Sequence, residues 1–503
     1  MKRIIVLCLT SVLTISCNSE EVKSTINPLP PTEGNDSPID KEEEKPEVLT
    51  TLFTSTDKTL ENTFQWAKQM ALKYSHDGTD PVGPWYEAAL PNRQAFCMRD
   101  VSHQTVGAQI LGLSAHNANM LTKFAENITE NKDWCSYWEI NRYNRPAPED
   151  YANDKEFWYN LNANFDVIQA CLKLYQWTGN RLYLDNPHFI NFYEKSLNEY
   201  IQRWMLSPDQ IMNRPLYMNS PANFNPNNNF HTCRGLASYV ENFPGLTASA
   251  DLLASLYAGY KAYAEICALK GDKQSAQKCE TTALQYRQIL ETKWWNNEKS
   301  HYYNFWTANK EFYDGEGSSY VLWFDISDNP ERIRATMRQL LHQSWNVETT
   351  SYFPALFYRL GYDKDAYIRL VTLPQQERSS YPEVSYGILE GIAGGVMGIT
   401  PAASERRIST LSRLRQETDQ AEMKNVPIFG GYINIRHNGK QASQLENRTG
   451  STIIWRASFA GEHPTLSVAG KEIQTTVTKD ILGNTASYID IEVTEGNKIQ
   501  VNL

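Results

Sequence analysis

The sequence predicts a mainly α protein, a long run of paired helices followed by a small C-terminal β-sandwich, and three observations carry that reading. Apolar residues recur at spacings of three and four between about 55 and 420. Glycine caps punctuate these stripes about every 90 residues. From about 421 the pattern turns to short strands divided by glycines.

Two segments precede the helices. Lys2 and Arg3 stand ahead of an apolar run from Ile4 to Ile15, shorter than the about 20 helical residues that span a bilayer but right for a signal-peptide core. The run leads into Leu13-Thr14-Ile15-Ser16-Cys17, which resembles a relaxed bacterial lipobox, with Thr14 where the strict motif has leucine. The resemblance implies removal of residues ahead of Cys17, acylation of Cys17, and anchoring to the outer membrane. Asn18-Ser19-Glu20-Glu21 is similar to the surface-export signal of Bacteroidetes lipoproteins, which implies a body outside the cell, with the periplasm as the alternative. Residues 18–50 are polar, acidic and proline-bearing, a composition that buries too little apolar area to offset its ordering entropy, so a disordered tether is expected.

In the body, residues 51–420, Leu252, Leu253, Leu256, Tyr260, Tyr263, Ala264 and Cys267 form one helical stripe, and Ala276, Cys279, Ala283, Tyr286, Ile289 and Leu290 form the next. Gly271-Asp272 between them reverses the chain, because glycine accepts the left-handed backbone at a helix C-terminus. Gly179-Asn180 and Gly361-Tyr362 repeat that punctuation. Repeated helical pairs make a closed toroid or an open solenoid, and periodicity does not separate the two. In residues 421–503, Tyr432 to Ile435, Thr452 to Trp455, Leu466 to Val468 and Tyr488 to Val493 read as strands of a β-sandwich.

The formal net charge of −10, with no block of Lys or Arg, excludes the phosphate-neutralising surface that nucleic acid requires. Aromatics at 12% suit a carbohydrate partner, since sugars stack their C–H faces on rings. Cys97, Cys135, Cys171, Cys233, Cys267 and Cys279 form no CxxC pair and are expected to be mostly free buried thiols. Neither HExxH nor GxSxG occurs, so no catalytic metal, serine nucleophile or cofactor is expected.

The most informative segment is Asn92 to Gln104, with Arg99-Asp100-Val101-Ser102-His103-Gln104 at its end. A guanidinium held against a carboxylate presents fixed donors and acceptors that match two adjacent sugar hydroxyls; the competing reading is an ion pair at a helix start. The segment resembles the Arg-Asp-x-x-x-Gln signature of six-hairpin glycosidase families such as bacterial exo-α-mannosidases, with Cys97-Met98 in place of a preceding aromatic. His437-Asn438-Gly439 through Leu445, Asn447, Gly450 and Trp455 is similar to the β-domain that closes α-L-rhamnosidases and related enzymes. These resemblances imply an (α/α)6 toroid and a glycoside hydrolase, with sugar binding by Arg99 and Asp100, support from Gln104 and His103, an inverting exo mode, a general acid in a mid-chain loop and a base near the toroid's end.

Glycoside hydrolysis needs two carboxyl groups. Glu241 is the expected acid, with Glu139, Asp314 and Glu316 competing, and Glu383 is the expected base, with Glu390 on the same helix read as structural. Trp158 offers a stacking platform; Asn162 and Asp166, one turn apart, read equally as pocket groups or as a capped helix start. His231 and Arg234 on the Asn- and Pro-rich loop complete the expected sugar ligands. Trp134, Tyr137, Trp138 and Tyr143 read as subsites or as core. A polysaccharide lyase, using Arg234, His231, His103 and Tyr386, and a non-catalytic glycan binder are the competing functions.

Overall fold

The computed structural model describes residues 50–88, 90–216, 234–241, 243 and 245–503, so the leader, Cys17, the tether to residue 49, His231 and Cys233 lie outside the described residues. Twelve helices set the plan of the body: α1 Lys58–Lys73, α2 Met98–Ile110, α3 Ser114–Glu126, α4 Ala163–Thr178, α5 Pro187–Leu197, α6 Ala250–Leu269, α7 Lys273–Lys293, α8 Ser318–Trp323, α9 Pro330–His342, α10 Phe353–Arg359, α11 Asp363–Thr372 and α12 Pro382–Glu390.

The even-numbered helices touch one another in a circuit. Contacts run from α2 to α4, α6 and α8, and from α10 through α12 back to α2. Between α8 and α10 the Ser319 and Tyr352 hydroxyls lie 2.8 Å apart, and Arg359 donates to the Leu322 carbonyl at 2.6 Å. The odd-numbered helices back them, α3 on α2, α7 on α6, α9 on α8, α11 on α10 and α1 on α12. Burial follows position: α6 is covered along nearly its whole length, while α7 buries only the stripe Cys279, Ala283, Tyr286 and Leu290. Gly271 takes a left-handed φ of +83°, and the Asp272 carboxylate accepts from the Ser275 amide at 3.0 Å to start α7, as the stripe-and-cap pattern anticipates.

Where α2 and α12 cross, Gly107 leaves no room for a side chain: a Cβ there would stand 2.3 Å from the Tyr386 carbonyl oxygen. Because the obstacle is backbone, the helices must part, and Gly107→Ala is expected to cost about 1–3 kcal/mol, read from urea unfolding midpoints.

The C-terminal region holds two sheets. One orders Leu52–Ser55, Gln420–Ile428, Gly431–Asn438, Ala442–Arg448, Lys498–Asn502, Thr465–Val468 and Lys471–Gln474; the other orders Thr400–Ala402, Arg407–Leu411, Ile453–Ala460, Thr485–Val493 and Thr476–Lys479. Two boundaries differ from expectation. The strands begin at Thr400 rather than 421, and Leu52–Ser55, ahead of the first helix, pairs antiparallel with Ala421–Lys424. Both are short edge strands, three and four residues long, that give too little period-two signal to compete with the adjoining helical pattern.

His437 fastens the β-region to the body: its Nδ1 lies 2.7 Å from the Ser443 hydroxyl and its Nε2 3.1 Å from the Met397 carbonyl, in a fully buried site. Burial lowers its pKa from 6.5 to about 4. The unfolded chain therefore takes up a proton at a pH where the folded chain does not, and stability is lost as pH falls from 6.5 towards 4, by about 3 kcal/mol in all. Thermal unfolding across that range should show the loss, and His437→Gln should flatten it.

The five described cysteines, Cys97, Cys135, Cys171, Cys267 and Cys279, are free and buried.

Candidate active site

Three of the even-numbered helices, α2, α8 and α12, present their N-terminal turns to one cavity of about 330 Å³, and Ser351 and Tyr352 reach it just ahead of α10. Arg99, Asp100, His103 and Gln104 reach it from the start of α2, Tyr320 from α8 and Glu383 from α12. Asp100 and Glu383 each stand in the first turn of a helix here, as does Glu348 in the short helix Val347–Ser351, while Asp166 and Asp251 hold the same position in α4 and α6 without lining the cavity. The positive end of a helix macrodipole favours a carboxylate at that position, which lets so many acids gather around one space.

Arg99 is the central cation. Its Nε lies 3.8 Å from Asp100, its Nη1 3.4 Å from Glu241, and its guanidinium carbon 5.6 and 5.9 Å from the ring centroids of Trp138 and Tyr239. Glu383 is buried, and burial first, then the charges of Asp100 and Glu348, hold its carboxyl well above the ordinary range against the opposing pull of Arg99. Its Oε2 has no hydrogen-bond partner among the described residues. Glu241 keeps 33% of its side chain exposed; burial raises its pKa, Arg99 opposes, and the Asn160 amide approaches at 3.5 Å. His103 Nε2 and both polar atoms of the Gln104 amide are buried without a hydrogen-bond partner among the described residues, which leaves polar groups at the cavity for a ligand's hydroxyls.

Six expected site residues thus meet: Arg99, Asp100, His103, Gln104, Glu241 and Glu383. Trp158 lines an adjoining hollow of about 560 Å³ together with Trp138, and Arg99, Asp100, Glu241 and Glu383 border both spaces. Asn162 and Asp166 line neither. Asp166 accepts from the Tyr239 hydroxyl at 2.6 Å and Asn162 donates to Asp251 at 3.3 Å, so they brace the wall from behind. Asn162 makes no side-chain cap either. Arg234 also departs from expectation, being buried in an ion pair with Asp133 and stacked over the Phe157 and Trp204 rings, away from the cavity.

Among the competing acids, Glu139 is bound to Arg93 at 2.7 Å and pushed up to about 9 by burial and by Asp150. Asp314 pairs with Lys299 and His301 on the surface, and Glu316 stands exposed at the cavity's edge. Of the aromatic cluster only Trp138 borders a hollow; Tyr143 is 60% exposed. Sequence reasoning missed Tyr239 and Tyr320, whose rings stack at 4.1 Å, and Glu348. Glu390, expected as structural, also borders the cavity. The signal for Glu348 was present: Asn346 caps its helix through the Thr349 amide at 2.7 Å, two residues before an acid in the first turn. Among the described residues no group of three or more His, Cys, Asp or Glu side chains could hold a metal ion.

No protein-family model and no curated protein matches the sequence. Solved structures do share the fold. A GH78 family rhamnosidase of Bacillus sp. GL1 superimposes with a TM-score of 0.55 at 12% identity, over 80% of this chain and 41% of that one. An α-L-rhamnosidase from Dictyoglumus thermophilum gives 0.58 at 12% identity, over 90% of this chain and 50% of that one. A sialidase gives 0.55 at 12% identity, over 77% and 38%. The chain spans half or less of the length of these enzymes, and at such identity the likeness defines a glycosidase-type fold.

Proposed function

We propose that the chain is a glycoside hydrolase that removes a terminal sugar from a glycan, with the circuit of even-numbered helices as the inner ring of an (α/α)6 toroid and the two C-terminal sheets as a β-sandwich. One observation carries the reading: Arg99, Asp100, Glu241 and Glu383, drawn from three distant segments, border the same cavity. A terminal ring fits the inner space, gripped by Arg99 and Asp100, and the leaving group extends into the hollow beside Trp158 and Trp138.

Glu383, with its unpartnered Oε2, holds the attacking water and takes its proton in the ionised form, which the raised pKa reserves for the upper part of the working pH range. Glu241 donates a proton to the glycosidic oxygen. A sugar hydroxyl that engages Arg99 loosens the guanidinium's hold on Glu241, and the water that the sugar displaces raises Glu241 further, so substrate itself favours the protonated acid. This division of labour is that of an inverting enzyme. The residues ahead of Thr50 support lipid anchoring at Cys17 and display at the cell surface.

Charge argues against the lyase. A uronate must be neutralised, yet Asp100, Glu241, Glu316, Glu348, Glu383 and Glu390 border the cavity against Arg99 and Arg378. Tyr386 is buried between helices with its hydroxyl 3.4 Å from the Ala71 carbonyl, unavailable as a base. Product release from a panel of neutral aryl glycosides and plant or microbial glycans tests the proposal, with at least one substrate cleaved by the parent and spared by Glu383→Gln. An ultraviolet-absorbing unsaturated product would make it a lyase, and binding without any release a glycan-binding protein.

A further inference from the structure

Towards the C-terminal parts of α2, α4, α8 and α10 lies a second cavity, of about 380 Å³. Val106 of α2 and Trp323 of α8 border it, each later in its helix than the residues facing the first cavity, together with Lys173 of α4 and Arg359 of α10, and Ile399 to Pro401 and Arg413 close it from the β-region side. Glu390 borders both spaces. We propose that this second cavity binds a small organic carboxylate, independently of catalysis.

Lys173, Arg359 and Arg413 border this cavity with Glu390 as the one acid among the lining residues, and behind the wall Asp325 pairs with Arg359 at 3.2 Å and Asp363 lies 3.8 Å from Arg413. The two arginines are partly spent on helix ends, Arg359 donating to the Leu322 and Trp323 carbonyls and Arg413 to the Gly395 carbonyl. Lys173 is not so engaged. Its ammonium makes no hydrogen bond among the described residues and lies 4.8 Å over the Trp323 ring, where the Arg359 guanidinium carbon also lies at 5.8 Å. Two cations over one indole repel each other. Burial, with Arg359 adding to it, pushes the Lys173 amine below its ordinary range, while Glu390 opposes. An anion lodged beside Lys173 relieves both penalties.

Trp323 adds a donor. It is 4% exposed, and its Nε1 has no hydrogen-bond partner among the described residues. A buried donor of that kind costs free energy until an acceptor reaches it, and a carboxylate supplies two oxygens. The remaining wall, with Val106, Leu172, Trp177 and Ile399, is apolar and favours an organic body over a bare inorganic ion. Aromatic acids and acidic sugars share this chemistry.

The test is thermal unfolding of the full chain with benzoate, glucuronate, benzyl alcohol, glucose or chloride at matched ionic strength, alongside Lys173→Met and Lys173→Arg. Benzoate or glucuronate should raise the midpoint in a dose-dependent manner, as a ligand of the folded state does. Lys173→Arg should keep the shift and Lys173→Met lose it. A response to benzoate alone marks an aromatic acid, to glucuronate alone an acidic sugar. In the unaltered chain, the effective carboxylate should also slow reductive methylation of Lys173, a readout that survives misfolding of either variant. Equal shifts with benzyl alcohol, glucose or chloride, an undiminished shift in Lys173→Met, or no shift and no protection with either carboxylate would overturn the site.

Discussion

Glu383→Gln is expected to lower kcat by about 10³-fold on every substrate, and azide to restore turnover with formation of a glycosyl azide. The amide keeps the shape of a residue 8% exposed and packed at the start of α12, so the loss reports the missing base rather than a collapsed wall. Azide needs no deprotonation and enters where the water would have stood. Glu241→Gln should behave differently. Without a proton donor, a sugar leaving group departs slowly, whereas fluoride, which needs little protonation, departs at a rate close to that of the parent. The pair of variants, assayed on a glycan fragment and on the matching glycosyl fluoride, therefore separates the roles. Azide rescue of Glu241→Gln in place of Glu383→Gln would exchange acid and base, and full activity in both variants on all substrates would remove these carboxyls from the chemistry.

How much of this was legible depended on whether function coincided with a local pattern. The hairpin of α6 and α7 was visible because its apolar stripes and the Gly271-Asp272 cap are properties of neighbouring residues. The Arg99-Asp100 pair was visible because both groups sit in one turn of one helix. Glu241 and Glu383 were legible as candidates, but their shared cavity is a product of the circuit of helices that periodicity could not close. Arg234 and Asp166 show the converse failure. Their residue types suit a sugar site, yet each found its partner inside the protein, Asp133 for one and Tyr239 for the other, and only three-dimensional packing decides between a ligand and a neighbour. Glu348 was lost for a similar reason: a five-residue helix carries no periodic stripe to draw attention to its first turn.

Arg99→Met and Glu348→Gln should move the pH–rate profile in opposite directions, because they remove charges of opposite sign from around the same base. One limb reports the Glu383 proton. Asp100 and Glu348 raise that pKa and Arg99 lowers it, so loss of Glu348's charge moves this limb to lower pH and loss of Arg99's moves it to higher pH. The limb that reports Glu241 should also move up in Arg99→Met, since Arg99 lowers that group too. The bell thus shifts upward as a whole in Arg99→Met, whereas Glu348→Gln moves the Glu383 limb downward; the limbs belong to the interacting pair, so the comparison is between profiles rather than assigned values. The rates should separate as well. Arg99 is mostly buried and pairs with Asp100 and Glu241, so its removal leaves those carboxylates uncompensated and takes away the fork that grips the sugar, a loss of about 10²-fold or more in kcat/KM. A profile that moves the same way in both variants would mean that the titrating group is not Glu383.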